Sequence, residues 1–308
     1  MDLYLPIAEM PINALTVLAV SAAVGFISGM FGIGGGFMMT PLLIFMGVPP
    51  AIAVATGSAQ IAAASTTGTI AYWRRQALDV RLGLVLLAGG MIGTFIGVWA
   101  FGALRRLGQL DLVIVLSYVS LLFSVGSLML IESARTLIAK RRGTTPRTAA
   151  PLHERWYIAL PFSMRFPQSQ LEASVLPLLV LSVAIGIIGA ILGIGGGFLM
   201  VPALIYLFRV PATVVVGTSL FQILFTMLAA TILHAAINQA VDILLALILI
   251  LGGVFGAQFG ARAARNVRSD TFRLLLALLI LTIGIRFSLD ILVPPQEAYS
   301  FGTQEGHR

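Results

Sequence analysis

Two glycine-rich motifs carry the residues best suited to ligand chemistry in this chain. One is Phe-Gly-Ile-Gly-Gly-Gly-Phe at residues 31–37, and the other is Leu-Gly-Ile-Gly-Gly-Gly-Phe at residues 192–198. A glycine run inside apolar sequence predicts a break in a helix, because glycine tolerates backbone angles that other residues avoid. A helix that begins after the break directs unpaired N–H groups and a partial positive charge at it. The motifs therefore predict two anion cradles, formed by these glycines: Gly32, Gly34, Gly35, Gly36, Gly193, Gly195, Gly196 and Gly197.

Polar side chains that follow each motif supply the second part of the predicted site. Three lie in the first half of the chain and three occupy corresponding places in the second: Thr56, Ser58, Gln60, Thr218, Ser219 and Gln222. Their hydroxyl and amide groups can bind the oxygens of an anion without a fixed countercharge. The alternative is structural, because Ser and Thr hydroxyls also bond to their own helix carbonyls and Gln side chains also bridge helices.

The composition indicates a polytopic membrane protein. Of the 308 residues, 58% are hydrophobic and 10% are charged, and the mean hydropathy is +1.01. Soluble domains have about a quarter of their residues charged. The net charge of +7 comes from Lys and Arg clustered between apolar segments, as in loops that face an anionic leaflet. We therefore expect membrane lipid, and not nucleic acid, to surround this chain.

Ionisable residues are scarce within the apolar segments, and this limits the functions that the chain can have. No Asp or Glu falls in the middle of a segment, there is no cysteine, and no P-loop, nucleophile motif or metal-ligand motif occurs. The sequence therefore predicts no enzyme, no metal site and no cofactor. His234 lies near the end of one segment, where it is either a coupling group or a structural residue that reaches the membrane interface.

Eight apolar segments approach the length of about 20 residues that a helix needs to cross a bilayer. They are residues 12–31, 51–73, 81–104 and 111–131 in the first half, and 175–192, 212–236, 241–263 and 271–293 in the second. A shorter apolar piece follows each glycine motif, at residues 37–47 and 198–208. Such a piece would reach about 16 Å as a helix, roughly half of the hydrocarbon thickness. We expect four long helices and one half-helix in each half.

The two halves of the chain are related by an internal duplication. The glycine motifs, the polar residues behind them, and Asp79 with its counterpart Asp242 recur at a spacing of 161 to 163 residues. Such recurrence predicts two pseudo-symmetric repeats. A later helix of each half also carries matched glycines, which we expect to let helices pack closely. These are Gly89, Gly93 and Gly97, and Gly252, Gly256 and Gly260.

The distribution of arginine indicates that the two repeats have opposite orientations. Residues 74–81 contain three arginines, whereas the matched loop at residues 237–241 contains none. The next loop of the second half, at residues 262–268, contains three, against two at residues 105–106 of the first half. Because Lys and Arg collect on the cytoplasmic side, we expect an odd number of crossings in each repeat and both termini outside. The arginines at residues 105–106 oppose this scheme.

The predicted fold is an all-α polytopic membrane protein with two inverted pseudo-symmetric repeats. Residues 1–131 form the N-terminal repeat, 132–173 a basic cytoplasmic linker, 174–293 the C-terminal repeat and 294–308 a polar tail. The expected location is a bacterial inner membrane. The sequence leaves open the oligomeric state and whether the short segments re-enter or cross the membrane.

The duplicated Gly-x-Gly-Gly-Gly motif, the proline that follows it, the glycine-rich later helix and the basic linker resemble the TauE/SafE family of sulfite and organosulfonate exporters. The resemblance covers residues 12–292 apart from the linker. It implies secondary transport of small sulfur-containing oxyanions, such as sulfite, sulfoacetate or related sulfonates, by alternating access.

Several functions remain open at this stage. Export is expected, because an inside-negative potential drives an anion outward by about 2.3 kcal/mol per 100 mV without a coupling ion. The alternatives are uptake of an organic acid anion, for which His234 is the candidate coupling group, and an anion channel with the same glycine breaks. A membrane scaffold that acts through its linker is a further alternative.

Overall fold

The computed structural model describes residues 2–31, 35–141, 163–169, 171–263 and 269–292. The first half contains β1 (Asp2–Leu5), β2 (Met10–Asn13), α1 (Ala14–Phe31), α2 (Gly36–Phe45), α3 (Pro50–Arg74), α4 (Val80–Arg106) and α5 (Leu110–Arg141). The second half contains β3 (Ser163–Phe166), β4 (Leu171–Ser174), α6 (Val175–Leu192), α7 (Gly197–Leu207), α8 (Ala212–Leu233), a π-helical turn (His234–Asn238), α9 (Ile243–Ala263) and α10 (Ser269–Leu292). The elements therefore follow the same order in both halves.

The predicted all-α polytopic membrane fold is confirmed. Within the described ranges, five helical stretches are long and apolar enough to cross a membrane: Val80–Arg106, Leu110–Ile131, Val175–Leu192, Thr213–Asn238 and Ile243–Ala263. The helix α3 has a similar length but contains more Ala, Gly, Ser and Thr, and its first eight residues after Pro50 are buried. Its surroundings are protein, so it does not need an apolar surface for lipid.

The two short apolar pieces form the half-length helices that the sequence predicts. The helix α2 has 10 residues and α7 has 11. Gly47, just after α2, lies beside Met10 in the strand before α1, so α2 ends close to where α1 begins. In the second half, Phe208 after α7 likewise packs with Phe166 of β3. Each short helix therefore turns back at its glycine break and forms a re-entrant hairpin with the helix before it.

A β-hairpin precedes the first helix of each half, and neither hairpin was predicted. The strands β1 and β2 pair with Asp2 opposite Asn13, and β3 and β4 pair with Ser163 opposite Ser174. Asn13 accepts hydrogen bonds from the first N–H groups of α1, and Ser174 caps α6. Residues 163–169 and 171–173, which were predicted to be linker, belong to this hairpin. The rest of that linker after residue 141, and the tail at 294–308, lie outside the described residues.

The helices α3 and α8 pack against each other at the centre of the molecule and run antiparallel. Gly217, near the start of α8, contacts Ala77, which follows the end of α3. Ile61 and Ile223, which are matched by the duplication, both lie beside Gly195 near the middle of this pair. An antiparallel central pair is what inverted repeats require. The orientation of each half in a membrane stays a prediction.

The glycine stripes of α4 and α9 pack against neighbouring helices, as expected. A Cβ atom added to Gly93 would overlap the carbonyl of Val183 in α6, and one added to Gly256 would overlap the carbonyl of Ala22 in α1. The backbones of these helix pairs therefore touch directly. These contacts hold α6 against α4 and α1 against α9. The glycine breaks at the ends of α1 and α6 are thereby fixed in position.

The two ends of the molecule differ in charge, and we name them accordingly. Hydrogen bonds between the starts of α3 and α9, and between the starts of α8 and α4, show that α3 and α9 begin at one end and α4 and α8 begin at the other. The "arginine face" is the end where α3 and α9 finish, and the "opposite face" is the end where they begin. The arginine face carries Arg74, Arg75, Arg81, Arg209 and Arg262.

Candidate functional site

The two glycine breaks meet in the interior of the molecule. A Cβ atom added to Gly36 would lie 2.7 Å from the carbonyl oxygen of Ile194 and 2.8 Å from that of Gly193. The rings of Phe37 and Phe198, at the ends of the two motifs, stack with centroids 4.4 Å apart and an interplanar angle of 14°. The described parts of the two predicted cradles therefore form one site. Gly32 and Gly34 lie outside the described residues.

Each break ends in a glycine with a left-handed backbone that starts the short helix. Gly35 has φ of 65° before α2, and Gly196 has φ of 73° before α7. An added Cβ would lie 2.8 Å from the Cβ of Ser28 at Gly35, and 2.7 Å from a methyl group of Ile185 at Gly196. Only glycine satisfies both the angle and the space. A helix start leaves its first N–H groups without helical partners, and both of these helix starts lie where the breaks meet.

The matched glutamines are buried close to this meeting point. Gln60 and Gln222 are 0% and 2% exposed, and each precedes an isoleucine that contacts Gly195. Neither the amide nitrogen nor the amide oxygen of Gln60 has a hydrogen-bond partner among the described residues, and neither does the amide oxygen of Gln222. A buried polar group without a partner is costly and uncommon in native proteins. A ligand with hydrogen-bonding groups would supply the missing partners.

Glycines on the flanking helices make room for both glutamines. A Cβ added to Gly253 of α9 would lie 2.7 Å from the amide nitrogen of Gln60, and one added to Gly90 of α4 would lie 2.7 Å from that of Gln222. The same pairing therefore occurs on both sides of the central helix pair. Each glutamine therefore lies against a glycine of the neighbouring helix.

The predicted hydroxyl residues have different surroundings. Thr56 accepts a hydrogen bond of 3.1 Å from the backbone N–H of Asp242, and Thr218 accepts one of 3.1 Å from that of Asp79. Ser58 donates to the carbonyl of Val54 in its own helix, which is the structural alternative considered for it. Ser219 is fully buried, and its hydroxyl has no partner among the described residues. Of the four, Ser219 most resembles the glutamines.

Sequence reasoning placed Asp79 and Asp242 at helix ends but missed their role in joining the halves. Asp79 caps α4 and also accepts two hydrogen bonds from Ser169 in the hairpin of the second half. Asp242 caps α9 and accepts one from Ile7 in the hairpin of the first half. Each half therefore holds the start of a helix in the other. An aspartate directly before an apolar helix, repeated at the duplication spacing, was the available signal.

Two further residues bond to the helix that leads into the second break. The hydroxyl of Tyr118 in α5 donates to the carbonyl of Leu192 at 2.6 Å. His234 lies 3.2 Å from the carbonyl of Ala190 through Nε2 and 3.0 Å from the side-chain nitrogen of Asn238 through Nδ1. The expectation that His234 reaches an interface is wrong, because its side chain is fully buried against Phe101. The sequence contained no signal for the role of Tyr118.

Comparisons with known proteins agree with this architecture. The family described as Sulfite exporter TauE/SafE matches residues 17–287. A probable membrane transporter protein, YunE, of Bacillus subtilis (strain 168) is 28% identical over 228 residues, which cover 71% of this chain and 77% of the relative. A probable membrane transporter protein of Xylella fastidiosa (strain 9a5c) is 32% identical over 223 residues, covering 70% of this chain and 71% of the relative.

A plant relative shares a shorter region. Sulfite exporter TauE/SafE family protein 3 of Arabidopsis thaliana is 32% identical over 73 residues, which cover 24% of this chain and 15% of the relative. No solved structure matches the chain at a significant level. The family match nevertheless spans both re-entrant hairpins and all the helices between them. The chain therefore belongs to the TauE/SafE family of multi-pass membrane transporters, which indicates a small-molecule substrate.

Proposed function

We propose that this protein exports a small sulfur-containing oxyanion, such as sulfite, sulfoacetate or a related sulfonate, across the inner membrane by alternating access. The observation that carries the proposal is the pair of buried glutamines beside the meeting glycine breaks, of which Gln60 has both amide atoms unpaired and Gln222 its amide oxygen. Backbone N–H groups from two helix starts and amide N–H groups from Gln60 and Gln222 would surround one anion. Ser219 would add a hydroxyl, and Thr56, Thr218 and Ser58 would line the same region.

The chemistry of the donors suits a monovalent oxyanion that must be released again. Neutral N–H and O–H donors can satisfy several oxygens at once, and helix starts add partial positive charge. Full salt bridges from buried arginines would hold the anion more strongly and slow its departure. The two re-entrant hairpins meet around this region, so movement of the helices on either side of it would expose it to each side in turn.

The membrane potential supports export, and the charged ends support an orientation. The arginine face would lie in the cytoplasm, because basic residues collect there, and both termini would then lie outside. An inside-negative membrane then drives a monovalent anion outward, by about 2.3 kcal/mol for each 100 mV. Uptake of an organic acid anion would instead need a coupling group such as His234. Uptake that follows a pH gradient in the natural protein, and is lost in His234→Gln, would favour that alternative.

Counterflow in proteoliposomes tests the proposal. Vesicles that contain the purified protein are loaded with unlabelled sulfoacetate, and the entry of labelled sulfoacetate is followed. We expect saturable exchange in the natural protein and a loss of about tenfold or more in Gln60→Met/Gln222→Met, because each amide donates to a charged ligand. Methionine has a similar size and removes the unpaired polar atoms, so the melting temperature should not fall.

Thr282→Val is the control for the glutamine variant. Thr282 also carries a polar side chain within an apolar helix, but it lies at an exposed position on α10, where its hydroxyl donates to the carbonyl of Leu278, and outside the predicted site. Its exchange rate should equal that of the natural protein. Equal exchange in the glutamine variant would disprove the site, and flux that does not saturate or show counterflow would identify a channel.

A further inference from the structure

A cleft with three arginines opens on the arginine face between the ends of α3 and α9. Its volume is about 450 Å³. The residues around it come from one stripe of each helix and include Thr67, Ala71, Arg74, Arg75, Gln258 and Arg262. This cleft lies outside the site where the glycine breaks meet.

The three guanidinium groups are available to an anion. Arg75 lies over the ring of Tyr72 at 5.8 Å, and Arg262 lies over the ring of Phe259 at 5.9 Å. In the part of the chain that the structure describes, no carboxylate forms a salt bridge with these arginines or with Arg74. Guanidinium groups stay charged at all physiological pH values, and their paired N–H groups fit the oxygens of a sulfonate or phosphate.

The cleft is connected along one helix face to the buried glutamine of the first half. Thr67 follows Gln60 by seven residues on α3, which is about two turns and about 10 Å along the same face. Arg74 follows Thr67 by seven more. On α9, Gly253 packs against Gln60, while Gln258 and Arg262 line the cleft. The interface between α3 and α9 therefore runs from the arginines to an unpaired amide beside the glycine breaks.

The matched end of the other half lacks these three arginines. At the duplication spacing, Arg74 and Arg75 correspond to Ala236 and Ile237, and Arg262 corresponds to Trp99. Ile237 and Trp99 are 53% and 70% exposed, and Arg105, which lies at this end, donates to the backbone carbonyl of Asn238. The arginines of the cleft are consequently not a by-product of the duplication. They distinguish the face at which an exported anion would enter from the face at which it would leave.

We propose that this cleft is a docking site for a small soluble oxyanion, held by Arg74, Arg75 and Arg262. If the proposed function holds, it is the place where the substrate collects before it passes along α3 to the glycine breaks. An anionic lipid headgroup has related chemistry. The position of the cleft on the helix pair that also holds Gln60 favours a soluble anion, since a lipid tail would have to remain at the outer surface of this pair.

Binding in the absence of the central site tests this proposal. The probe is sulfoacetate, titrated by calorimetry into the full chain in an uncharged detergent, with Gln60→Met/Gln222→Met as the background so that the central site does not contribute. We expect this background to bind sulfoacetate. Adding Arg74→Gln/Arg262→Gln should weaken the binding by about tenfold or more, because two charged hydrogen-bonding groups are lost.

Arg81→Gln/Arg209→Gln is the matched control. It removes the same charge from exposed arginines of the same face that do not line the cleft. Binding should change by less than about twofold, because exposed charges at a distance are screened. Equal weakening in both variants would overturn the proposal and show a general charge effect.

The remaining outcomes separate the cleft from the proposed function. If the natural protein does not transport sulfoacetate but the cleft variant still loses binding, the docking site stands and the proposed function fails. Absence of sulfoacetate binding in the background overturns the docking site, whatever the transport result. Binding of short-chain phosphatidylglycerol that sulfoacetate does not displace also overturns it, because the cleft would then be a lipid site.

Discussion

The two halves of this transporter are alike where they meet and different at their ends. At the centre, Phe37 stacks on Phe198, and the glutamines Gln60 and Gln222 each lie against a matched glycine. At the ends, the three arginines of the cleft correspond to Ala236, Ile237 and Trp99 in the other half, where Arg105 donates to a backbone carbonyl. A single anion between two helix starts needs equal contributions from both halves, whereas the two membrane surfaces present different environments. We therefore assign the proposed binding site to the part of the molecule where the halves are alike, and the proposed direction of transport to the ends where they differ.

A second comparison concerns the bonds that hold each half in place. The carboxylate of Asp79 accepts four hydrogen bonds among the described residues, two of them from Ser169 of the other half. The carboxylate of Asp242 accepts two, both from backbone N–H groups. Tyr118 bonds to the second break, and Leu281, which lies 163 residues later, has no polar group that could make such a bond in the second half. The second break and the arginine face therefore have more of these hydrogen bonds than the first break and the opposite face.

The largest effect is expected from bulky side chains at the two breaks. Gly35→Val together with Gly196→Val should abolish sulfoacetate exchange, because valine strains a left-handed backbone and collides with Ser28 or Ile185. Each single variant should lose transport to a similar extent if the breaks contribute equally. Exchange is measured in proteoliposomes, with insertion checked by size-exclusion chromatography.

Gly108→Val controls for backbone strain alone. Gly108 has φ of 68° in the turn after α4, but an added Cβ meets nothing within 4 Å. This variant should retain transport with a slightly lower melting temperature. Gly35→Ala/Gly196→Ala introduces a smaller side chain. It tests the same positions if the valine double variant does not fold. Full exchange by a correctly inserted alanine double variant would contradict the role of the breaks.

The fold was largely predictable from sequence because membrane helices depend on local composition. Length and hydropathy predicted the long helices, and the glycine runs predicted the breaks and the short helices α2 and α7. The hairpins were not predictable, because four-residue strands such as Asp2–Leu5 lack a distinctive sequence pattern. They also depend on contacts with the start of a helix in the other half, such as the bond from Ile7 to Asp242. Their positions are set by tertiary contacts with Asp79 and Asp242.

Residues of the candidate site could be predicted where the same residue type recurs in both halves. Gln60 and Gln222 stand out because two polar amides recur in apolar sequence, and the structure shows them buried without partners. Thr56 and Thr218 recur equally well, but their hydroxyls bond to backbone of the other half. Recurrence alone cannot separate a ligand contact from a contact between repeats, because duplication preserves both. Tyr118 has no counterpart, so no recurrence could reveal it.

An intermediate effect, a fall in melting temperature, is expected when Asp79 or Asp242 is replaced. Asp79→Asn should lower the melting temperature more than Asp242→Asn, because the new amide group would face both donors of Ser169 but only one donor at Ile7. Each unpaired buried donor costs about 1–3 kcal/mol. Thermal unfolding in detergent measures the difference. Asp111→Asn, at an exposed position in α5, should unfold like the natural protein.

Equal unfolding temperatures for Asp79→Asn and Asp242→Asn would show that the extra bonds from Ser169 add nothing. The proposed link between the halves would then rest on helix capping alone, which both residues share. A Ser169→Ala variant separates the two contributions. It removes the hydroxyl donor at 2.8 Å and leaves the cap of α4 intact, so it should account for part of the loss at Asp79.

The smallest effect is expected when the hydrogen bond from Tyr118 to the second break is removed. Tyr118→Phe removes the hydroxyl that donates to Leu192 and keeps the ring that packs near Phe287. Loss of one buried hydrogen bond costs about 0.5–1.5 kcal/mol, which corresponds to a decrease in exchange of about threefold to tenfold if it acts on the bound state. Tyr4→Phe, at an exposed position in β1, should exchange normally. A normal exchange rate in Tyr118→Phe would mean that the second break keeps its geometry without this bond, so the two breaks would be equivalent in function despite their unequal surroundings.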